Sequence, residues 1–472
     1  MKAFFKLNTR FILDFRFWLV LFFIVRLVGI MNPPLEMAHN WRQTTVSMVA
    51  RNFYEVDNNI LYPRIDIAGE KSGITGMEFP LLNYLIYLVS CVFGYASWYG
   101  RLINLIVSSI GILFYYKILR RFFDEKLAFY SALVLIVSIW FVYSRKIMPD
   151  TFSVSLVIIG LYYGLMYLYD NKSFKYVLFY GIFICLGILS KVPAAILLSI
   201  MIFPYIMIHH LWKRKIIISL ITILFLIPTI IWYFWWVPYL VETYGFWHFF
   251  MGGTMSVGFY EIISNLNLTF ANFYSAAFGF SGFVVFLAGL IYSIVNKKWV
   301  LLGVLIVTLL PFMVIIIKSG NTFFRHSYYI IAFVPVMSVF IGYLLSSFRY
   351  RWLSIVVLLF VIIEMLANNT QDFRIKSKNR HILTLEHNLN NVSKKDDLIV
   401  INSGYTPTPM YFAHRKGWVY PNEFIGRKEN LDSLKKLGCK HIVILKKSFG
   451  ENIELLYNKV YDSEYYTIYS LK

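Results

Sequence analysis

The sequence predicts an α-helical polytopic membrane protein that ends in a small soluble α/β domain. Three observations predict this. Hydrophobic residues make up 58% of the 472 residues and aromatic residues 19%, and the mean hydropathy is +0.62, too apolar for a soluble chain of this size. Apolar stretches near the ~20 residues needed to cross the hydrocarbon core recur up to residue 370. Beyond that point the composition turns polar, and apolar residues return only in short strand-like and helix-like groups.

Taken in order, the spans are expected at about 17–30, 102–119, 127–144, 151–169, 176–190, 193–210, 216–237, 271–295, 299–317, 327–346 and 352–368, about 11 crossings. The first is a retained anchor, because Asn32-Pro33-Pro34 follows it where a signal peptide would carry small residues for cleavage. Leu81–Val89 is short, and counting it as a crossing would reverse every later basic loop, so it reads as a juxtamembrane helix at the outer interface. The domain spanning 1–370 therefore has outer loops at about 32–100 and 238–270.

One set of connections holds Lys2, Lys6, Arg10 and Arg16; Lys117, Arg120, Arg121 and Lys126; Lys172 and Lys175; Lys213, Arg214 and Lys215; Lys297 and Lys298; Arg349 and Arg351. That bias makes their side cytoplasmic, with the N-terminus inside and the C-terminus outside. It also accounts for the net charge of +20, so no nucleic-acid partner is expected. The C-terminal domain, 371–472, is extracytoplasmic. Its expected elements are a strand at Leu398–Ile401, a helix at Leu431–Leu437 capped by Gly438, a strand at His441–Leu445, a helix at Ile453–Tyr457 and a closing strand at Tyr465–Leu471. Cys91, Cys185 and Cys439 have no metal-ligand spacing and suggest no disulfide framework.

Polar residues stand beside the spans on the outer side: Glu36, His39 and Arg42, then Glu78, Arg145, Lys146, Asp150, Lys191, Lys318 and Arg325. Ionisable groups at membrane depth are costly and usually functional. The outer cations oppose the orientation bias, and an anionic ligand such as a phosphate is the simplest reason for them. Each also has a structural alternative. Glu36 or Glu78 can start a helix, and Asp150 can cap one. Lys191 and Arg325 can reach to the headgroups. Trp41 and Trp247 suit an interfacial belt or sugar stacking.

Several of these residues fall in ordered motifs. Glu78-Phe79-Pro80-Leu81-Leu82-Asn83-Tyr84 opens the juxtamembrane helix. Phe93-Gly94 leads to Arg101, and Ser144-Arg145 to Pro149-Asp150. Gly187-Ile188-Leu189-Ser190-Lys191-Val192-Pro193 follows, then Arg325-His326-Ser327-Tyr328-Tyr329 with Pro335. With Glu36 after the first span, the set resembles the GT-C superfamily of membrane glycosyltransferases, above all the protein O-mannosyltransferases and the lipid A aminoarabinose transferase (the ArnT-like group). It departs from them in having Glu36 followed by Met37 rather than an Asp-Glu pair, and one Pro rather than two in the second motif.

The resemblance implies a GT-C fold and transfer of a sugar from a polyprenyl-phosphate carrier to a glycan, lipid or protein acceptor at the outer face of a bacterial inner membrane. Glu36, with Glu78 competing, is then the candidate base. His39, Arg42, Arg145, Asp150, Lys191 and Arg325 are candidate donor-binding residues, their cations stabilising the leaving phosphate. The leaving group is a lipid phosphate, so no nucleotide site is needed, and no nucleotide motif is found; no cofactor is certain beyond a candidate metal. A divalent metal has been associated with this region in ArnT-like members, which makes Glu78 with His39 or His248 a candidate metal pair. The alternative class is a transporter or flippase of polyprenyl-linked glycans. It predicts polar residues at mid-span and repeat-related broken helices, whereas the charges here crowd one end.

Overall fold

The computed structural model describes residues 14–170, 173–208, 211–246 and 252–471. The principal helices, in chain order, are α1 (Phe15–Leu27), α2 (Asn40–Glu55), α3 (Leu81–Phe93), α4 (Tyr99–Phe122), α5 (Glu125–Val137), α6 (Pro149–Tyr169), α7 (Phe174–Ser190), α8 (Trp212–Ile231), α9 (Gly279–Val295), α10 (Trp299–Ser319), α11 (Val334–Ser347), α12 (Arg351–Thr370) and α13 (Lys428–Lys436). Among the described residues five helical segments are long and apolar enough to cross a membrane, and a sixth counts if 266–277 and α9, bent by 96°, form one span. All eleven stretches read as spans carry helix. Several of those helices are too short or too broken to count by length.

The breaks follow the sequence. Lys191 leaves the helical region two residues ahead of Pro193, whose ring offers no N–H to carry the α-helical ladder on and crowds the carbonyl four residues back. A 3₁₀ helix, Val192–Met201, replaces the expected α-helix there. The 127–144 stretch breaks at Ser138, and 327–346 begins as a 3₁₀ turn, Ser327–Ala332, ahead of Pro335. Irregular backbone at membrane depth survives where protein buries it. These three breaks hold or flank Arg145, Asp150, Lys191 and Arg325.

The chain divides into two compact units. One comprises 1–30, 101–234 and 250–371, the other 31–100, 235–249 and 372–472. In the first, Glu364 of α12 accepts the backbone N–H groups of Phe280 at 2.7 Å and Ser281 at 2.8 Å. That carboxylate, which the sequence reading passed over, caps the N-terminus of α9 and so has a structural reason to sit in a span.

The second unit is built on a five-stranded sheet of β1 (Leu398–Ile401), β2 (Gly417–Val419), β3 (Cys439–Leu445), β4 (Asn458–Asp462) and β5 (Tyr466–Ser470). The strand order is β2-β1-β3-β5-β4. β1 runs parallel to β2 and β3, whereas β3–β5 and β5–β4 are antiparallel. Alternation puts Ile399, Ile401, Val443 and Ile468 on one face, packed with Met48, Val49 and Phe53 of α2 and with Leu385 and Leu389. Val400, Ile442 and Ile444 face the other way, toward Leu431 and Leu434 of α13. The C-terminal segment therefore shares one core with the residues read from sequence as the first outer loop.

Gly438, at φ +96°, terminates α13 as expected. Ile453–Tyr457 does not form the expected helix and runs irregular into β4. Its apolar residues Ile453, Leu455 and Tyr457 recur every second position and lie against the sheet core, a spacing that suits extended chain rather than a helix. β2 is three residues long, and β4 is a polar edge strand carrying Lys459. Neither offers a clear apolar alternation to read.

Candidate active site

Within the membrane-helix unit the candidate residues gather around the turn before α6. Asn104, near the start of α4, donates from its amide nitrogen to the carbonyls of Tyr143 and Lys146, both at 2.9 Å, and of Met148 at 3.2 Å. It thereby fixes the loop that carries Arg145 and Lys146. Arg26, buried at the end of α1, donates to Phe22 O at 2.9 Å and to Ser144 Oγ at 2.5 Å. Sequence reasoning missed both. Their only signal was a polar residue inside an apolar span.

Arg145 is buried and gives two donors to the carbonyls of Val28 at 2.7 Å and Gly29 at 3.0 Å. It therefore satisfies carbonyls just past the C-terminal end of α1. Lys146 is also buried and stands 5.4 Å from the centroid of the Tyr143 ring.

Asp150 follows Pro149 in the first turn of α6, where a carboxylate opposes the positive helix end. It forms an ion pair with Lys191, and the side chains are 3% and 13% exposed. The second Asp150 oxygen is buried with no hydrogen-bond partner among the described residues. The Lys191 ammonium lies 4.4 Å from the Tyr328 ring and 5.6 Å from the Tyr329 ring. A cavity of about 10 Å³ between these groups has room for about one water. Arg325 ends a short helix, Asn321–Arg325, is exposed, and has no ion pair among the described residues. His326 stacks on Tyr328 at 5.3 Å. The tyrosines stand in the quoted motif, but no role for them was read from it.

In the second unit Glu36 is fully buried. His39 precedes α2 in the left-handed region, at φ +57°, a conformation a non-glycine residue adopts only when its surroundings enforce it. Arg42, expected from the sequence among the donor-binding residues, forms an ion pair with Glu78. Both are largely buried, so the attraction acts with little solvent screening. Asn83 of α3 ties α3 to α2 through Val46 O at 2.9 Å. His248, the other half of the candidate metal pair, and Trp247 lie outside the described residues. Among the described residues no three His, Cys, Asp or Glu side chains are grouped to hold a metal ion.

A bridge farther along the same unit was not foreseen. His414 contacts Glu386 Oε1 at 2.6 Å through Nδ1 and Glu55 Oε2 at 2.9 Å through Nε2. Burial works against its positive charge, but the bonds to Glu386 and Glu55 outweigh it and raise its pKa above the usual 6.5. Burial pushes the Glu55 carboxyl up, yet His414 and Lys395 hold it down at about 2. The bond to His414 lowers Glu386. A raised histidine stabilises the fold fully below about 6.5 and loses that contribution as pH rises through its folded value. The lowered carboxylates contribute fully above about 4.5 and lose it as pH falls through their folded values. The bridge is therefore expected to stabilise most between about pH 4.5 and 6.5. The melting-temperature gap between the protein and His414→Asn should be widest near pH 5.5 and shrink by pH 9. Asn is chosen because it tolerates the left-handed backbone at this position, φ +48°. A gap independent of pH would refute the charged bridge.

Residues 78–235 match the family model of dolichyl-phosphate-mannose-protein mannosyltransferase, a stretch that includes Glu78, Arg145, Asp150 and Lys191. No curated protein sequence matches. Among solved structures, ArnT from Cupriavidus metallidurans bound to undecaprenyl phosphate aligns with a TM-score of 0.61 at 12% identity, covering 96% of this chain and 98% of that one. The oligosaccharyltransferase of Archaeoglobus fulgidus aligns at 0.58 with 14% identity, covering 90% of this chain and 69% of that one. The same organism's AglB in complex with an inhibitory peptide and a dolichol-phosphate gives 0.55 at 14%, with coverage of 90% and 69%. The chain is thus an integral membrane protein with the fold of the GT-C glycosyltransferases, similar to ArnT over nearly its whole length and to the mannosyltransferase family over residues 78–235.

Proposed function

We propose that this protein transfers a sugar from a polyprenyl-phosphate carrier to a glycan, lipid or protein acceptor on the extracytoplasmic side of a bacterial inner membrane. The observation that carries the reading is the Lys191–Asp150 pair under Tyr328 and Tyr329, inside the segment that matches the mannosyltransferase model. A lysine at a helix break, half enclosed by aromatic rings, supplies fixed positive charge to a leaving phosphate at small reorganisation cost. Arg325 adds an exposed cation from the next motif. Glu36 takes the acceptor proton, and Arg42 with Glu78 shapes the loop that presents it. Relatives found in complex with undecaprenyl phosphate and dolichol-phosphate support this donor class.

Purified full-length protein in detergent, given a panel of polyprenyl-phosphate sugars and acceptors, should release free polyprenyl phosphate and a glycosylated acceptor for at least one combination. Folded protein that only moves carrier across vesicle bilayers, with no sugar transferred, would establish the transporter reading instead.

The reading also requires about eleven crossings with the C-terminus outside. A single cysteine at position 420 should react with an impermeant reagent in intact cells, and one at 122 should not. Cys91 is exposed and must first be replaced, whereas Cys185 and Cys439 are buried. The opposite pattern would reject the topology.

A further inference from the structure

The membrane-helix unit holds a second, much larger cavity, of about 760 Å³, within the range of small-ligand sites. It lies near the other end of that unit from the Asp150–Lys191 pair. Asn104 of α4 anchors the turn that precedes Asp150, and Arg120 of the same helix lines the large cavity. Sixteen residues along a helix span about 24 Å.

The lining is cationic and converges from several elements. Arg16 comes from α1, Lys117 and Arg120 from α4, Lys126 from α5, Arg349 from the turn before α12, and Arg351 from α12 itself. Two carboxylates accompany them. Asp14 is taken by Arg16, at 2.5 Å, and Glu125 accepts the Tyr116 hydroxyl at 3.4 Å. The other five cations have no ion pair among the described residues, although the Lys117 ammonium lies 4.6 Å from the Phe114 ring and the Arg120 guanidinium 5.6 Å from the Tyr116 ring. Leu113, Phe129 and Leu345 form apolar wall. Basic loops alone satisfy the orientation rule, but that rule does not require cations from four elements to face one concave space. The sequence has no glycine-rich phosphate loop to suggest a nucleotide.

We infer that this cavity binds the phosphate of an anionic phospholipid in the leaflet at that end, with the cations around the phosphate and the apolar wall against the start of the acyl chains. A basic pocket between membrane helices is suited to such a headgroup. Under the topology proposed above, the leaflet is the cytoplasmic one. The binding itself depends on neither that topology nor the transferase reading, so either can fail alone.

The test measures binding of phosphatidylglycerol and phosphatidylcholine to the full-length protein in detergent, by lipid-dependent thermal protection. The variants are Lys117→Gln/Arg349→Gln/Arg351→Gln and, as a control of equal charge, Lys175→Gln/Lys213→Gln/Lys297→Gln. The control residues are exposed and lie outside the cavity. Phosphatidylglycerol should bind in preference to phosphatidylcholine. The cavity variant should lose about five-fold in affinity per cation, roughly a hundred-fold in all, while the control stays within a few-fold of the parent. Equal loss in both variants would mean a diffuse basic face and would overturn the site. Inorganic pyrophosphate protecting as well as the lipid, and losing that protection only in the cavity variant, would assign the space to a soluble phosphate compound and overturn the lipid assignment.

Discussion

Glu36→Gln is expected to fold, insert and bind the carrier, yet transfer sugar roughly 10²–10⁴ times more slowly, the range for loss of a general base. The substitution keeps the shape of a side chain that is fully buried and removes its charge and its ability to take a proton. Glu78→Gln should behave differently. It breaks the ion pair with Arg42 and leaves a buried guanidinium without that partner, which costs stability as well as rate. Single-turnover transfer measured beside carrier affinity and melting temperature separates the two. Glu36→Gln with near-normal transfer, and Glu78→Gln folded but inactive, would move the base to Glu78. Lost carrier binding in Glu36→Gln would make Glu36 an organiser of the site instead.

Lys191→Ala carries the second large effect. Removing one partner of a buried pair costs about 3–5 kcal/mol, because the other charge stays behind without compensation. A lost charge-assisted phosphate contact costs a further 1.5–3 kcal/mol, roughly ten-fold or more in carrier binding. The two costs are separable. Lys191→Met with Asp150→Leu removes both charges and should recover most of the melting temperature. If Lys191 also holds the carrier phosphate, that folded double variant still transfers poorly and binds carrier weakly. Wild-type transfer by the double variant would reduce the pair to a fastener between α6 and the end of α7.

The apolar helices and three of the five strands, β1, β3 and β5, were readable because their signals are local. The long apolar run of α10 or the short one at Leu398–Ile401 announces itself without reference to the rest of the chain. Gly187 to Pro193 likewise marked a helix end carrying a lysine, and the structure places that lysine on Asp150, forty-one residues earlier. What stayed hidden depends on distant partners. Nothing in the sequence says that Asn104 holds the turn before α6, that Arg145 spends two donors on the carbonyls of Val28 and Gly29, or that His414 sits between Glu55 and Glu386. The helix at Ile453–Tyr457 was misread because five residues are too few for period two and period 3.6 to be told apart by eye. α2 was not marked as an element because so much of its buried surface is polar, with Arg42, Gln43, Thr44, Thr45 and Arg51 all inside.

The core shared by α2 and the sheet has a consequence for biogenesis. Arg51 donates to the Tyr411 carbonyl, 360 residues later in the chain. At roughly 5–20 residues per second of synthesis, the segment that emerges first waits about 20–70 s for the strands it must pack on. Throughout that interval Met48, Val49 and Phe53 have no sheet to cover them. The unit is therefore completed only after α12 has been made, and a ribosome that stalls between α2 and residue 400 leaves that segment with a bare apolar face, a ready substrate for chaperones and proteases.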